Sequence, residues 1–513
     1  MSLFNLLDEK WIPVQFPDGA RDELGVSDVL LRSREIAFIE DPSPLAVAAL
    51  HRFLLALLYR ALEGPTDIDH AKALFRDGLP VSRIAAYLSK WRDRFWLFDA
   101  SYPFYQVPDY EPKEEKGQKH WKPWTALAAE HNADNAKVLF DHVDNTESGT
   151  IASGKAARWL IACQTFALGG GNSDFQYTKT GPAATAVMAL PLGRTLQDTL
   201  ILSLVPENRE VLASDLPLWE RDPDTLAALR KGEQRAITGW ADLYSWRSRS
   251  IKLRLEGDGR TIGGLTFASG VGWLPGNVVD PMLGYRLDEK RGRLAIQFRD
   301  RGLWRDFDSL LPDESQLAPR VIEHAAAVTR SFRERAPRSV LVLGQANDKA
   351  KIEYWRMERF VFPEALAGDR PIRGEIRQLL ADAEGADRQL WSACSAFGRN
   401  LISRGDPKPA EKDIKAFVRQ ESASPWYWST LEARFHDVLS EITLDRDSEE
   451  VRRKWLMVVR RTLGAAWERY RASVSTGDAW TIRALSKAEG PVLRKLANLK
   501  KEIQSLTPQM EDA

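Results

Sequence analysis

Two cysteines in 513 residues, Cys163 and Cys394, are too few and too far apart for a disulfide framework or a thiolate zinc site. Histidine is also scarce. The seven, at 51, 70, 120, 131, 142, 324 and 436, form no HExxH pair, so a metallohydrolase has no local signature. His131 and His142, near Asp141 and Asp144, are the group a nuclease centre would use, but the composition of an ordinary charged loop accounts for them far better. There is no GxSxG elbow, no Walker lysine and no kinase motif set, and Cys163 falls on the apolar face of a helical pattern, where a core thiol belongs. No enzyme activity, cofactor or metal is therefore expected. Net charge is absent too: 72 Lys and Arg balance 72 Asp and Glu. That argues against a nonspecific nucleic-acid coat and leaves room for local basic patches. The most apolar stretch, 45–62, is broken by His51, Arg52 and Arg60 and reads as a buried helix, not a membrane span. The opening residues lack a basic region followed by an apolar core, so a cytoplasmic protein with no membrane partner is expected.

What is present is aromatic and mixed in pattern. Eighteen tryptophans point to large aromatic cores or contact surfaces. The length predicts two or three domains. Residues 5–16 alternate into the turn Pro17-Asp18-Gly19, a strand signature, and 44–62, 68–75 and 81–91 carry helical spacing. The block Phe95-Trp96-Leu97-Phe98 with Pro103-Phe104-Tyr105-Gln106 reads as core packing. Residues 190–204 read as a strand or turn leading into an apolar helix. From 240 to 307 the pattern is strand-like, around 251–255, 265–267 and 294–298. A helix over 317–332 precedes a buried strand, 339–343, that ends in Gly344-Gln345-Ala346-Asn347-Asp348-Lys349. Beyond 371, apolar residues at helical spacing predict four helices: one through Ile376, Leu390 and Leu401 with a break near Gly385, one through Trp426 and Leu439, one through Trp455 and Tyr470, and one through Leu493 and Ile503. The fold class is thus α+β: a mixed N-terminal domain, 1–367, with short strands, helices and long loops, then a C-terminal four-helix bundle, 368–513.

The chain is organised around Gly169, Gly170 and Gly171. Three successive glycines can take positive φ and bring backbone N–H groups close to a partner, although such a run in isolation is an ordinary surface loop. Here it follows a short helix, 155–167, anchored by Ala156, Trp159, Leu160, Cys163 and Phe166, and that helix is preceded by the polar segment 140–154. In the last domain Arg453 and Arg460, like Lys454 and Arg461, are seven residues apart. Each pair shares one side of a helix, where phosphates could bind or where Glu449, Glu450 and Glu468 could neutralise the charge.

In order and spacing, Asn5-Leu6-Leu7 with Trp11-Ile12-Pro13-Val14, the aromatic block, the triple glycine with Gly181-Pro182, Trp304, the segment 343–352 and the terminal helices resemble the CasA family, the large subunits of type I-E CRISPR Cascade complexes. The resemblance covers most of the chain. It implies a non-enzymatic subunit of an RNA-guided complex that reads the protospacer-adjacent motif (PAM) in double-stranded DNA and starts unwinding, while the guide RNA reads the target. It implies as partners the guide RNA-containing Cascade subunits, the small-subunit dimer, target DNA and a helicase-nuclease. By residue, it implies that Gly169, Gly170 and Gly171 enter the PAM minor groove and that Phe140 anchors an assembly loop near the guide 5′ end; it also implies that the terminal bundle contacts DNA and the neighbouring small subunits, for which the spacing offers Arg453, Lys454, Arg460 and Arg461 as backbone contacts. It further implies a wedge hairpin in which Asn347, Asp348 and Lys349 split the duplex. The family's wedge glutamine falls at Lys349 without gaps, and a shifted hairpin would give that role to Gln345. The family's motif-reading lysine has Lys252, Arg254 and Arg260 as candidates. Some members carry a cysteine cluster in the middle β region; residues 240–264 contain none, so no zinc carries over. A scaffold without DNA reading and a divergent metal-dependent nuclease are the alternatives.

Overall fold

The structure, a computed structural model, describes residues 3–115, 118–128, 149–170, 173–176, 179–274, 278–290, 292–299, 301–311, 316–348, 351–367, 372–404 and 410–507. The described contacts divide the chain into two compact units: 1–303 with 309–360, and 304–308 with 361–513.

The first unit is built on the helix Pro44–Leu62. Ser43 caps it by accepting a hydrogen bond from the Ala46 N–H, Pro44 stands at its first turn, and Glu63 ends it in the left-handed conformation. By length and composition this helix is apolar enough to cross a membrane, yet its most apolar window is 94% buried within the fold. The polar residues that interrupt the apolar run are taken up internally. Arg52 forms a buried ion pair with Asp280 and lies 4.2 Å from the centre of the Tyr244 ring. His51 Nδ1 bonds the Val47 carbonyl at 2.7 Å.

Around this helix pack Ser153–Phe166, Val81–Trp91 and Trp240–Tyr244, together with several small sheets. Three sheets matter for the sites below. Arg249–Leu255 pairs antiparallel with Thr261–Ser269, which also pairs with Ile151–Ala152. Ser339–Asp348 is the middle strand between Lys351–Val361 and Met188–Leu192. Phe38–Ile39 is an edge strand beside Ile12–Gln15. The aromatic block is core, as its composition predicted: Phe53, Phe95, Phe104 and Trp219 meet with ring centres 5.5–6.5 Å apart.

The second unit is helical. The four expected helices are present as Arg373–Ser403, Ser424–Glu441, Ser448–Ser473 and Gly490–Ser505. Two short ones were not foreseen, Glu411–Gln420 and Ala479–Ala488, each burying little more than one turn of apolar residues. Gly385 does not interrupt the first helix, which runs unbroken for 31 residues. Two buried donors find backbone partners here: Trp455 Nε1 donates to the Leu379 carbonyl at 2.7 Å and the Tyr427 hydroxyl to that of Ala383 at 2.9 Å. Trp304, from the short segment 304–308, meets Trp428 edge-on and Phe435 at a tilt, with centres 5.4 and 5.1 Å apart.

Candidate nucleic-acid interface

The glycine loop leaves the C-terminus of Ser153–Phe166 and returns at Gly181, whose N–H donates to the Ala167 carbonyl at 2.6 Å. Two different constraints require glycine. Gly170 has φ of 115°, and a Cβ at Gly169 would lie 2.9 Å from the Thr180 backbone nitrogen. Gly169 is therefore needed for close approach within the loop itself; Gly171 lies outside the described residues.

Both stems are held by a side chain that no sequence motif marked. Arg249, 2% exposed at the start of its strand, donates from Nη1 to the carbonyls of Lys179 at 2.8 Å and Ser248 at 2.7 Å, and from Nη2 to that of Leu168. It has no carboxylate partner among the described residues, and burial lowers its pKa. Its charge faces carbonyl dipoles on both sides of the loop, which ties the loop's entrance to its exit. Gln164 adds a second stitch: its amide donates to the Arg249 carbonyl at 2.9 Å and accepts from the Arg249 N–H at 2.7 Å. Trp273 Nε1 donates to the Thr180 carbonyl at 3.2 Å. Further along, Phe175 packs on Tyr110, and the Asp174 carboxylate accepts from the Tyr110 hydroxyl at 2.9 Å.

The strand expected to stop at Leu343 continues to Asp348, and Lys351–Val361 lies beside it in the sheet. Gly344, with φ of 150°, lets this strand approach Ala186, whose carbonyl oxygen would stand 2.3 Å from a Cβ. Gln345 therefore cannot serve as the wedge residue of a shifted hairpin. Its side chain is fully buried in the strand and its Nε2 donates to the carbonyls of Phe166 at 2.8 Å and Ala184 at 2.6 Å. Those two carbonyls belong to the segments that open and follow the glycine loop. The fold thus joins two features that lie far apart in sequence, the loop through Gly169 and Gly170 and the strand that carries Asn347 toward the hairpin turn. Asn347 is half-buried; Asp348 is placed by its backbone as the last strand residue, and Lys349 lies outside the described residues, as does Phe140. His131, Asp141, His142 and Asp144 also lie outside them.

The basic candidates are largely engaged. Lys252 pairs with Glu111 and Arg254 with Glu256 at 2.8 Å, while Arg260 is exposed in the turn after Asp258. In the helical unit Arg453 pairs with Glu450 at 2.6 Å, Lys454 with Glu441 at 2.8 Å, and Arg460 Nε donates to the Leu496 carbonyl at 3.3 Å. Arg461 is exposed. Cys163 is buried, with its pKa pushed up to about 11 by desolvation, which fits a core thiol. Among the described residues no group of His, Cys, Asp or Glu is arranged to hold a metal ion.

Comparison with known proteins supplies the family. The model of the CRISPR-associated protein Cse1 family matches residues 5–466. The CRISPR-associated protein CasA/Cse1 of Thermus thermophilus is 32% identical over 514 residues, spanning 98% of this chain and 99% of that protein. A solved structure of Thermus thermophilus CasA (Cse1) superposes with a TM-score of 0.83 at 30% identity, covering 97% of this chain and 100% of the other. A chain of a CRISPR RNA-guided surveillance complex shares the fold, with a TM-score of 0.70 at 18% identity over 98% of this chain and 100% of that one. The chain belongs to the CRISPR-associated Cse1 (CasA) family.

Proposed function

We propose that this protein is the large subunit of an RNA-guided CRISPR surveillance complex of the Cascade type, in which 1–367 recognises the PAM in double-stranded DNA and 368–513 is a helical bundle that contacts DNA and neighbouring subunits. In this reading the protein is not a catalyst. The glycine loop enters the PAM minor groove, and the hairpin turn beyond Asn347 and Asp348 opens the adjacent base pair so that the guide RNA can pair with the target. Phe140 anchors the subunit near the guide 5′ end. The partners are the guide RNA-containing subunits, the small-subunit dimer, target DNA and the helicase-nuclease that the large subunit helps recruit.

The observation that carries this reading is the junction at Gln345, where one buried amide ties the hairpin strand to both segments bordering the glycine loop. A reader and a wedge must act at adjacent base pairs, so a shared rigid support suits them. Minor-groove reading through backbone groups is permissive, because that groove mainly separates A·T from G·C pairs. Gly170→Asp tests the assignment, since it adds bulk where φ is positive and a charge that phosphate repels. In the assembled complex, PAM-dependent binding measured by electrophoretic shift should fall by about a hundredfold, or ~3 kcal/mol. Unchanged PAM-dependent binding would remove the loop from the interface.

A further inference from the structure

A cleft of about 700 Å³ lies in the first unit and is lined by Phe38, His51, Arg194, Leu341, Met357 and Arg359 among others, none of them a residue assigned to DNA. Its size falls in the range of specific ligand sites. Two of its walls are β structure: the edge strand Phe38–Ile39, and the outer face of the sheet in which Leu341, Met357 and Arg359 sit. Phe38 and Met357 are 39% and 46% exposed, so two large apolar side chains face solvent in one concavity.

The charges of this cleft are not balanced. Glu40 is held by Arg21 at 2.6 Å and Asp41 by Arg158 at 3.1 Å, so both carboxylates are already neutralised. Arg194 donates to the Glu334 backbone carbonyl and Arg359 Nε to the Ser339 hydroxyl, and neither has a carboxylate partner among the described residues. Two exposed guanidiniums therefore flank an apolar surface with their charge unmatched. His51 contributes to the lining. Its Nδ1 is committed to the Val47 carbonyl, which makes Nε2 the acceptor nitrogen, and Nε2 has no partner.

We infer that this cleft docks an extended acidic segment of a partner protein, with an aromatic side chain set between Phe38 and Met357 and carboxylates on Arg194 and Arg359. The edge strand offers main-chain pairing to an extended chain, the apolar pair offers the anchor, and the arginine forks suit carboxylates.

The probe is the acetylated and amidated hexapeptide Asp-Glu-Tyr-Leu-Glu-Asp, titrated calorimetrically into the full-length protein. A charge-reversed peptide and a single-stranded hexathymidine serve as the other arms. Binding with a Kd below about 1 mM is expected for the acidic peptide alone, weakened at least about tenfold by R194E combined with R359E. M357D, an independent surface substitution, should weaken it comparably, with the thermal melt of each variant confirming its fold. Absence of binding, or binding that survives both sets of variants, would overturn the site. Tighter binding of hexathymidine that is lost in R194E/R359E would assign the cleft to nucleic acid and overturn the peptide assignment.

Discussion

The glycine loop and the basic helix Ser448–Ser473 were both assigned to DNA, and they are built on opposite principles. At the loop the decisive charge is inside: Arg249 is buried, donates from its two Nη atoms to three backbone carbonyls and gives the surface a shape. On the helix the charges are outside, where Arg453 and Lys454 are matched by Glu450 and Glu441. A buried guanidinium bonded to carbonyls resists salt and fixes geometry, whereas exposed ion pairs are weak and exchange readily for phosphate contacts. The first arrangement suits recognition of one structure, and the second suits adhesion to any sequence.

The strongest way to break this contrast is to remove the buried charge. Arg249→Met leaves the Leu168 and Lys179 carbonyls without their donor and should cost about 2–4 kcal/mol in stability by denaturant unfolding. PAM-dependent binding should fall by about a hundredfold, while binding to a target opened in advance changes little. If PAM discrimination survives in a variant with that stability loss, Arg249 supports the fold and not the reader, and Gly170→Asp then decides separately whether the loop reads at all.

The hairpin sharpens the comparison, because its support and its tip should fail differently. Alanine at Asn347, Asp348 and Lys349 together should slow R-loop formation on closed duplex by about tenfold and leave pre-opened target unaffected, since base-pair opening is the step a wedge assists. Gln345→Leu removes one amide from two buried carbonyls and should instead lower stability by about 1–3 kcal/mol and impair both substrates alike. Stopped-flow fluorescence on the two substrates separates these outcomes. Equal loss on both from the alanine variant would make the tip a general contact.

The smallest effect is expected on the helix. Charge reversal at Arg453 and Arg460 should flatten the salt dependence of DNA binding by up to about 1.8 in logarithmic slope, and by nearer 1 if the Glu450 pair already occupies Arg453. PAM preference should stay unchanged. A wild-type slope would return these residues to a solvated, self-neutralised face.

The helices declared themselves in the sequence because burial on one side imposes a period that needs no knowledge of the partner. Leu431, Phe435, Trp455 and Tyr470 mark their seams however the helices pack. The two ten-residue helices escaped because one turn of apolar residues, such as Ile414 and Val418, does not establish a period. Strand Lys351–Val361 escaped because its alternation is carried by charged and aromatic residues and not by an apolar face. The triple glycine was visible as a candidate, but Gly169 could not be read as a close approach to Thr180, which is eleven residues away and touches it only after the loop closes.

Sequence alone thus determined the α+β class, the helical C-terminal region and the core character of Cys163, and it marked the glycine loop and the hairpin, to which the proposed function is assigned. Only the tertiary structure decided that Gln345 is an internal tie and not a wedge, that Arg249 holds both loop stems, and that the basic residues of Ser448–Ser473 are partly neutralised. The physical reason is range. Periodicity and turn chemistry act between neighbours along the chain, whereas the fate of a buried donor or an exposed charge is set by whichever distant backbone or carboxylate the fold brings within hydrogen-bonding distance.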